Sequence, residues 1–454
     1  MTCLLIIGGS DAGISAALIA REMSPSVGIT VVVADGFPNY SICGLPFYLS
    51  GETPEWSQLA HRKIGEIEKG NIRVLINHQA TSVDCDDKMV TCLTSSGEES
   101  HLRYDKLILA TGATSSRPMI MGLDQPGVYL LRWMEDGFAI RDHITSRFPK
   151  SVVIVGGGYI GMEMADALTH RGLAVTVVEY AGSVMETVDP SFSEIIRVEL
   201  ERNNVQVVNG VAIEDIKQVE GGLCVSGSPD FHILTDMVLV AAGCKPRTDL
   251  AEKIGMATGV KNAIKVNRRM ETSVKDIYAA GDCVETWRRI LNRADYLPLG
   301  TTAHKQGRVA GANAVGGEYE FAGSLGTQVV KIFDLVVGRT GLRQSEATKE
   351  GFTPFTNEIE VWDHKAYYPG AKKLKISITG DQSTRRLLGA QVIGSYGSEI
   401  AKRIDVLATA LFHDMTVDGL IDLDLSYTPP LSSPWDPVQM AAQAWTEKAA
   451  NGYL

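Results

Sequence analysis

The chain has 454 residues, of which 44% are hydrophobic and 21% charged, a composition typical of a soluble globular protein with about two to four domains. Its net charge is −11 and it shows no basic face, so nucleic acid is not an expected partner. The seven cysteines form no C-x-x-C pair, which argues against a disulfide framework and a zinc site, and no metal site is predicted. Because no signal peptide and no apolar stretch of about 20 residues is recognisable, we expect a cytoplasmic protein without a membrane span.

A first nucleotide-binding motif lies near the N-terminus. Apolar strands at 4–7 and 29–33 flank a turn that reads Gly8-Gly9-Ser10-Asp11-Ala12-Gly13. Gly8 allows a tight turn, and Gly13 allows helix and strand to pack closely. The helix that starts here directs free N–H groups at a pyrophosphate, and Asp35 can accept hydrogen bonds from ribose hydroxyls.

A second motif of the same kind spans Val152–Glu179. It contains Gly156, Gly158 and Gly161 and ends at Glu179. Two such units, each closed by an acid, predict two dinucleotide sites in an α/β chain. An acid at the second position suits the free 2′-hydroxyl of NAD and repels the 2′-phosphate of NADP, so NADH is expected and NADPH is less favoured.

Two later segments are predicted to complete the first site. Residues 107–112 and 277–282 both read as buried strands that would return to the first sheet, which places Asp282 near the cofactor's sugar chain. A helix is predicted to start after Pro298, at Thr301 and Thr302, with its positive end at the ring of the cofactor. From about residue 326 the pattern changes to strands at 327–333, 374–378 and 387–393, with helices at 399–413 and 436–450.

Taken together, these motifs resemble the flavoprotein pyridine nucleotide-disulfide oxidoreductases, and in particular their single-cysteine branch. That branch includes coenzyme A-disulfide reductases, NADH oxidases, NADH peroxidases and persulfide reductases. The resemblance implies FAD as the first cofactor and a homodimer with shared active sites. The segments that carry it are residues 41–46, 156–163, 278–282, 298–303, 367–370, 402–405 and 427–430. The implied fold is α/β with two Rossmann-like domains, for FAD (1–115 and 246–325) and NAD(H) (116–245), and a C-terminal α/β dimerisation domain (326–454).

Cys43 is the predicted redox centre. Two-cysteine relatives carry their second cysteine five positions later, where this chain has Tyr48, so Cys43 cannot form a local disulfide. Its oxidised form must then be a sulfenic acid, a persulfide or a mixed disulfide with a substrate. The thiolate is the reactive form, and we expect a nearby helix N-terminus to lower the pKa of the Cys43 thiol.

The resemblance also implies roles for other side chains. The Tyr159 ring would cover the flavin until nicotinamide displaces it, and Glu163 would meet the nicotinamide amide. Tyr367 and Tyr427 would reach the substrate sulfur from the partner subunit, where a phenol can donate a proton to a leaving thiolate. The other implied FAD-binding residues are Ser41, Ala80, Thr111, Gly112, Arg132 (on the pyrophosphate), Gly281, Pro298 and Leu299.

Two departures from the family pattern keep the function open. Oxidases and peroxidases carry a histidine where this chain has Asp11, and Glu22 would repel a phosphate of coenzyme A. The favoured interpretation is an NADH-dependent reductase of a small disulfide, persulfide or polysulfide. An NADH oxidase or peroxidase that cycles a cysteine sulfenic acid is the alternative, and a flavin-based redox sensor ranks last because no DNA-binding or signalling motif is visible. The sequence does not select the substrate or decide whether coenzyme A, oxygen or peroxide is used.

Overall fold

The structure is a computed structural model that describes residues 2–450. Residues 451–454 of the predicted C-terminal domain lie outside the described residues. The strands are β1 (Cys3–Ile7), β2 (Gly28–Val32), β3 (Ile72–Leu75), β4 (His78–Asp84), β5 (Met89–Thr94), β6 (Glu99–Arg103), β7 (Lys106–Leu109), β8 (Ala113–Ser115), β9 (Val128–Leu130), β10 (Ser151–Val155), β11 (Ala174–Glu179), β12 (Gln206–Asn209), β13 (Ala212–Val219), β14 (Gly222–Ser228), β15 (Phe231–Thr235), β16 (Met237–Val240), β17 (Cys244–Pro246), β18 (Ile277–Ala279), β19 (Thr286–Arg288), β20 (Arg293–Asp295), β21 (Gln328–Ile332), β22 (Leu335–Gly341), β23 (Pro354–Trp362), β24 (Lys373–Asp381) and β25 (Leu387–Ser395).

The helices connect these strands or cover the sheets. They are α1 (Asp11–Met23), α2 (Leu45–Ser50), α3 (Ile64–Glu68), α4 (Met134–Arg147), α5 (Tyr159–His170), α6 (Pro190–Arg202), α7 (Asp249–Lys253), α8 (Gly300–Ala314), α9 (Gln344–Lys349), α10 (Ile400–Phe412), α11 (Val417–Ile421) and α12 (Pro437–Ala450). Short 3-10 turns occur at Ile42–Gly44, Trp56–Leu59 and Val260–Asn262. Among residues 2–450, no helix is long and apolar enough to cross a membrane.

The first sheet is parallel, in the order β18-β7-β1-β2-β3. Its central strand is apolar because both faces of the sheet are covered, one by α1 and α8 and the other mainly by the antiparallel sheet β4-β5-β6. Strand β7 pairs with β1, and β18 pairs with β7, so both segments return to the first sheet as their sequences predict. The sheet is therefore assembled from parts of the chain more than 250 residues apart, and their carboxyl ends meet at one edge.

A second parallel sheet repeats the plan in the order β12-β11-β10-β16-β9. Here β10, α5 and β11 form the second predicted βαβ unit. The antiparallel hairpins β13-β14-β15 pack beside this sheet. The two nucleotide motifs thus belong to two separate sheets of the same construction.

The C-terminal part is built differently, on an antiparallel sheet in the order β21-β22-β25-β24-β23. The predicted strands and both predicted helices are present, although β24 extends beyond the predicted 374–378 to Asp381. Helix α12 anchors itself through the buried Trp445, whose indole N–H donates to the carbonyl of Phe355 over 2.8 Å.

Helices α1 and α8 approach each other unusually closely. A Cβ on Gly307 would lie 2.1 Å from the carbonyl oxygen of Ala12, and one on Gly311 would lie 2.2 Å from that of Ala16. Glycine is therefore required on α8, and the contact brings the start of α8 to the carboxyl edge of the first sheet. The helix begins at Gly300 with Leu299 as its N-cap residue, so the predicted start at Thr301 and Thr302 is one residue late, and no side chain caps it.

Candidate active site

A cavity of about 300 Å³ lies at the carboxyl edge of the first sheet. The glycine-rich turn after β1 forms one wall, and the first residues of β4 together with residues that follow β2, β7 and β18 form others. Cys43 and the start of α8 close it. The predicted site residues in its lining are Gly8, Gly9, Ser10, Asp11, Ala12, Asp35, Cys43, Ala80, Thr111, Gly112, Arg132, Gly281, Asp282 and Pro298.

The glycines of this cavity fit a phosphate-bearing cofactor. Gly8 has a φ of 116°, and a Cβ there would lie 2.0 Å from the carbonyl oxygen of Ala110. A Cβ on Gly13, behind the lining, would lie 1.9 Å from the carbonyl oxygen of Gly8. A side chain at either position would prevent the backbone from forming this turn. In the turn, the N–H groups at the start of α1 face the cavity. The geometry therefore fits the diphosphate of FAD.

Arg132 and Asp282 form an ion pair across the cavity, with 2.5 Å between Nη2 and Oδ2. The hydroxyl of Tyr296 donates to the carbonyl of Asp282 over 2.9 Å and holds this segment in place. Asp282 raises the pKa of the Arg132 guanidinium by its charge, against the opposing effect of burial. The predicted pyrophosphate ligand Arg132 thus already has a carboxylate partner in the same cavity.

Cys43 reaches the solvent through the cavity, although protein surrounds most of its thiol. It sits in the 3-10 turn Ile42–Gly44, two residues before α2. The expectation of a lowered thiol pKa is wrong: burial raises the pKa of Cys43, and the charges of Glu163 and Asp11 raise it further. Arg132 opposes them only in part.

Glu163 lies on α5, within electrostatic reach of Cys43. Burial, assisted by the charge of Asp166, raises the pKa of the Glu163 carboxyl to about 7. Asp166 itself is engaged elsewhere, because it accepts from the backbone N–H of Phe333 and pairs with Lys331. The site therefore contains a carboxyl group that changes charge near neutral pH beside the candidate nucleophile.

Asp11 is paired with a histidine that the sequence did not single out. Its Oδ1 lies 3.2 Å from Nε2 of His304 on α8, and Nδ1 of His304 lies 2.8 Å from the Ser15 hydroxyl. The ring of His61 packs against that of His304. Burial raises the pKa of the Asp11 carboxyl, while the two histidines oppose the shift. The imidazole of His304 therefore pairs with Asp11, which occupies the position where oxidases and peroxidases of the family carry their histidine.

The second glycine turn has the same backbone geometry but no comparable enclosure. Gly156 has a φ of 113°, and a Cβ on Gly161 would lie 2.0 Å from the carbonyl oxygen of Gly156. Glu179 accepts hydrogen bonds from the backbone N–H groups of Gly157 (2.5 Å) and Ala181 (2.7 Å). Tyr159 starts α5 and is partly buried, and burial raises the pKa of its hydroxyl.

Some predicted cofactor residues lie outside the lining of the first cavity. Ser41 is the N-cap residue of the turn that holds Cys43, Leu299 is that of α8, and the Thr302 hydroxyl donates to Ser324. Gly13, Thr301 and Tyr159 are also absent from the lining. The lining residues that the sequence analysis missed include Phe37, Tyr40, Trp133, Met134, Arg247 and Lys253. Trp133 directly follows the predicted Arg132 and Tyr40 directly precedes the predicted Ser41, so both could have been found that way, whereas no motif marks Arg247.

Tyr367 and Tyr427 are not part of this chain's own cavity lining and lie on two neighbouring exposed loops. Tyr367 is 74% exposed in the loop between β23 and β24, and Tyr427 is 44% exposed in the segment before α12. The loops touch where the backbone N–H of Lys365 donates to the carbonyl of Pro429 over 3.3 Å. The structure therefore brings the two loops into contact, and neither tyrosine is in the cavity lining that contains Cys43 of the same chain.

Comparison with known proteins agrees with this architecture. Residues 2–307 match the pyridine nucleotide-disulphide oxidoreductase family, and residues 327–437 match its dimerisation domain. The chain is 35% identical to an NAD(P)H sulfur oxidoreductase (CoA-dependent) of Pyrococcus abyssi, over 97% of both chains. It is 34% identical to an NADH oxidase of Methanocaldococcus jannaschii, over 98% of this chain and 99% of the other. A solved NAD-dependent persulfide reductase from A. fulgidus superposes with a TM-score of 0.95 at 34% identity, over 99% of this chain and 84% of the other. The chain therefore belongs to the pyridine nucleotide-disulphide oxidoreductases, a family of enzymes that bind FAD and NAD(P)H.

Proposed function

We propose that the protein is a cytoplasmic, homodimeric, NADH-dependent reductase of a low-molecular-weight disulfide, persulfide or polysulfide. The observation that carries this proposal is the place of Cys43 in the wall of the cavity that fits FAD. The relatives named for sulfur and persulfide reduction support the substrate class. No disulfide joins any two of the seven cysteines, all of which lie within residues 2–450, and this fits a reducing compartment.

The proposed chemistry uses Cys43 as a nucleophile. Its thiolate attacks one sulfur of a substrate RSSR, forms a mixed disulfide and releases RS⁻. Bound FAD would supply the two-electron link between NADH and sulfur. The whole reaction consumes RSSR, NADH and one proton and yields two thiols and NAD⁺. Gly8, Gly13, Asp35, Arg132 and Asp282 would hold the FAD.

We assign NADH to the second unit because of Glu179. Its carboxylate is held at the end of β11 by two backbone N–H groups, beside the place where a ribose binds in this fold. The next residue, Tyr180, is 78% exposed, and residues 180–183 contain no arginine that could pair with a 2′-phosphate. The carboxylate would accept from a free 2′-hydroxyl and would repel NADPH.

The cysteine role has a direct test. Cys43→Ser should retain FAD and its reduction by NADH, while turnover of coenzyme A disulfide or polysulfide falls by orders of magnitude, because a hydroxyl is a poor nucleophile toward sulfur. Cys224→Ser, in the β14 hairpin, is the matched control and should keep full turnover. Full disulfide turnover by Cys43→Ser would contradict the proposal.

A homodimer with shared sites is supported by an exposed aromatic face on the C-terminal part. Trp362, Tyr367, Tyr368, Tyr427 and Trp435 are each between 42% and 74% exposed, and large exposed apolar patches mark interfaces. We propose that Tyr367 and Tyr427 act on the substrate held at the partner's Cys43.

A heterodimer with Cys43→Ser in one chain and Tyr427→Phe in the other should keep about half the activity, since one of its two symmetric sites is intact. If each chain used its own tyrosine, both sites would be damaged and activity would fall well below half.

An NADH oxidase or peroxidase remains the second candidate, because His304 places an imidazole behind Asp11 at the edge of the cavity. The two candidates separate in an anaerobic experiment. Protein reduced with NADH is mixed with coenzyme A disulfide, polysulfide, peroxide or oxygen, and the rate of flavin reoxidation is recorded for each. We expect the disulfide or polysulfide to react fastest, and a faster reaction with peroxide would favour the second candidate.

A further inference from the structure

A buried arginine lies between the two tyrosine loops. Arg403, on α10, exposes only 6% of its side chain. Its guanidinium donates to the carbonyl of Ser398 and, over 2.6 Å, to the carbonyl of Asp363, and its Nη2 lies 3.7 Å from Oδ2 of Asp436. Since a buried charge is costly unless it is paired, this placement needs an explanation.

Asp363 closes the base of the loop that carries Tyr367. Its backbone N–H donates to the carbonyl of Lys372, and its Oδ1 accepts from the N–H groups of His364 and Lys372 over 2.8 and 3.0 Å. Its Oδ2 accepts from the Ser398 hydroxyl over 2.7 Å. Arg403 therefore holds Asp363 in place, and Asp363 fixes the direction in which the Tyr367 loop leaves the sheet.

Asp436 does the same for the segment that carries Tyr427. Its Oδ2 accepts from the Ser432 hydroxyl over 2.7 Å, and its Oδ1 accepts from the N–H of Val438 at the start of α12 over 2.9 Å. One guanidinium thus ties the bases of both loops, and the loops also touch directly through Lys365 and Pro429.

We propose that Arg403 is a positioning residue of the shared active site, which sets Tyr367 and Tyr427 of its own chain for the partner subunit's Cys43. This inference rests on the proposed function. Arginine is required because its planar fork donates to the carbonyls of Ser398 and Asp363 and also forms an ion pair with Asp436. A lysine ammonium is a single point charge on a flexible stem. Small displacements of a group that acts on the reacting atoms can lower a rate by up to about 10²-fold.

The chain offers a matched control. Arg385 also pairs with a carboxylate through two nitrogens, on Asp418, but it lies beyond Asp381, at the opposite end of β24 from the Tyr367 loop. Arg403→Lys should slow flavin reoxidation by coenzyme A disulfide by about tenfold or more and leave reduction by NADH unchanged. Arg385→Lys should leave both half-reactions unchanged.

The decisive experiment places the change in one chain of a heterodimer whose first chain carries Cys43→Ser. The one site with an intact cysteine then combines Cys43 of the second chain with Tyr367 and Tyr427 of the first. Arg403→Lys in the first chain should lower the remaining disulfide turnover by about tenfold, and in the second chain it should lower nothing. If Arg403→Lys does not fold, Asp436→Asn, which loosens only the Tyr427 side, is used in the same design.

The outcomes separate the inference from the proposed function. Equal losses in both arrangements, or none in either, would overturn the positioning role. A loss only when Arg403→Lys shares a chain with intact Cys43 would keep the positioning role and overturn the shared-site model. Full activity with Cys43→Ser in both chains would overturn the proposed function itself.

Discussion

The two glycine-rich units of this protein have nearly the same backbone and very different surroundings. The φ angles of Gly8 and Gly156 differ by only 3° (116° and 113°). The glycine in the first turn of each helix, Gly13 or Gly161, is also alike, because a Cβ there would lie 1.9 or 2.0 Å from the carbonyl oxygen of Gly8 or Gly156. Around the first turn, Cys43, Asp282 and the start of α8 build a partly enclosed cavity from distant parts of the chain. Around the second, a Cβ on Gly158 would meet no atom within 4 Å.

We infer from this difference that the βαβ unit determines how a diphosphate is bound. The segments that cover the unit determine how long the cofactor stays bound. A cofactor that must stay through every catalytic cycle benefits from walls on all sides, because each added contact slows its release. A nucleotide that arrives and leaves in each cycle needs an open turn. On the proposed function, the first unit would hold a retained FAD and the second an exchanging NADH.

The largest expected effect comes from placing the same small change in both units. Gly13→Ala should yield a colourless protein, because the new Cβ would press against the carbonyl of Gly8 and displace the turn that holds the FAD diphosphate. Gly161→Ala imposes the same clash on Gly156 and should leave FAD in place but abolish its reduction by NADH. FAD content by absorbance and stopped-flow reduction measure the two effects.

Circular dichroism of both variants provides the control for folding. A Gly13→Ala protein that stays fully yellow, or a Gly161→Ala protein that loses its flavin, would reverse or remove the assignment of the two units.

A moderate effect is expected at the acid that ends the second unit. Glu179→Ala should lower the preference for NADH over NADPH by about tenfold in kcat/KM, equivalent to ~1.4 kcal/mol, because the repulsion of a 2′-phosphate is removed. Asp35→Asn, at the matching position of the first unit, should leave the preference unchanged. An unmutated protein that uses NADPH as well as NADH would contradict the assignment.

The sequence predicts what is local and misses what depends on surroundings. The glycine turns, Asp35, Glu179 and Cys43 are recognisable because their chemistry requires particular residues at short spacings. The Asp11–His304 pair joins residues 293 positions apart, and no spacing rule connects them. The pKa of the Cys43 thiol is raised and not lowered as predicted, because the sequence shows neither the burial of the thiol nor the nearby charge of Glu163 on α5.

The smallest expected effect concerns Glu163, which links the two units because it lies on the helix of the second and acts on Cys43 at the first. Burial raises its pKa to about 7, so the carboxyl is mostly neutral at pH 6 and ionised at pH 8. Only the ionised form raises the pKa of the Cys43 thiol through its charge. Glu163→Gln should therefore increase alkylation of Cys43 by iodoacetamide about two- to fivefold above pH 7 and leave it unchanged below pH 6, since the thiolate is the reacting species.

Mass spectrometry of the Cys43 peptide over pH 5.5 to 9 gives this rate separately from those of the other cysteines. Glu194→Gln, an exposed acid on α6 paired with Arg197, is the control and should match the unmutated protein at every pH. A constant ratio between Glu163→Gln and the unmutated protein across the whole range would mean that Glu163 does not titrate near 7. Equal rates at pH 8.5 would mean that its charge does not reach the sulfur, and the two units would then be electrostatically independent.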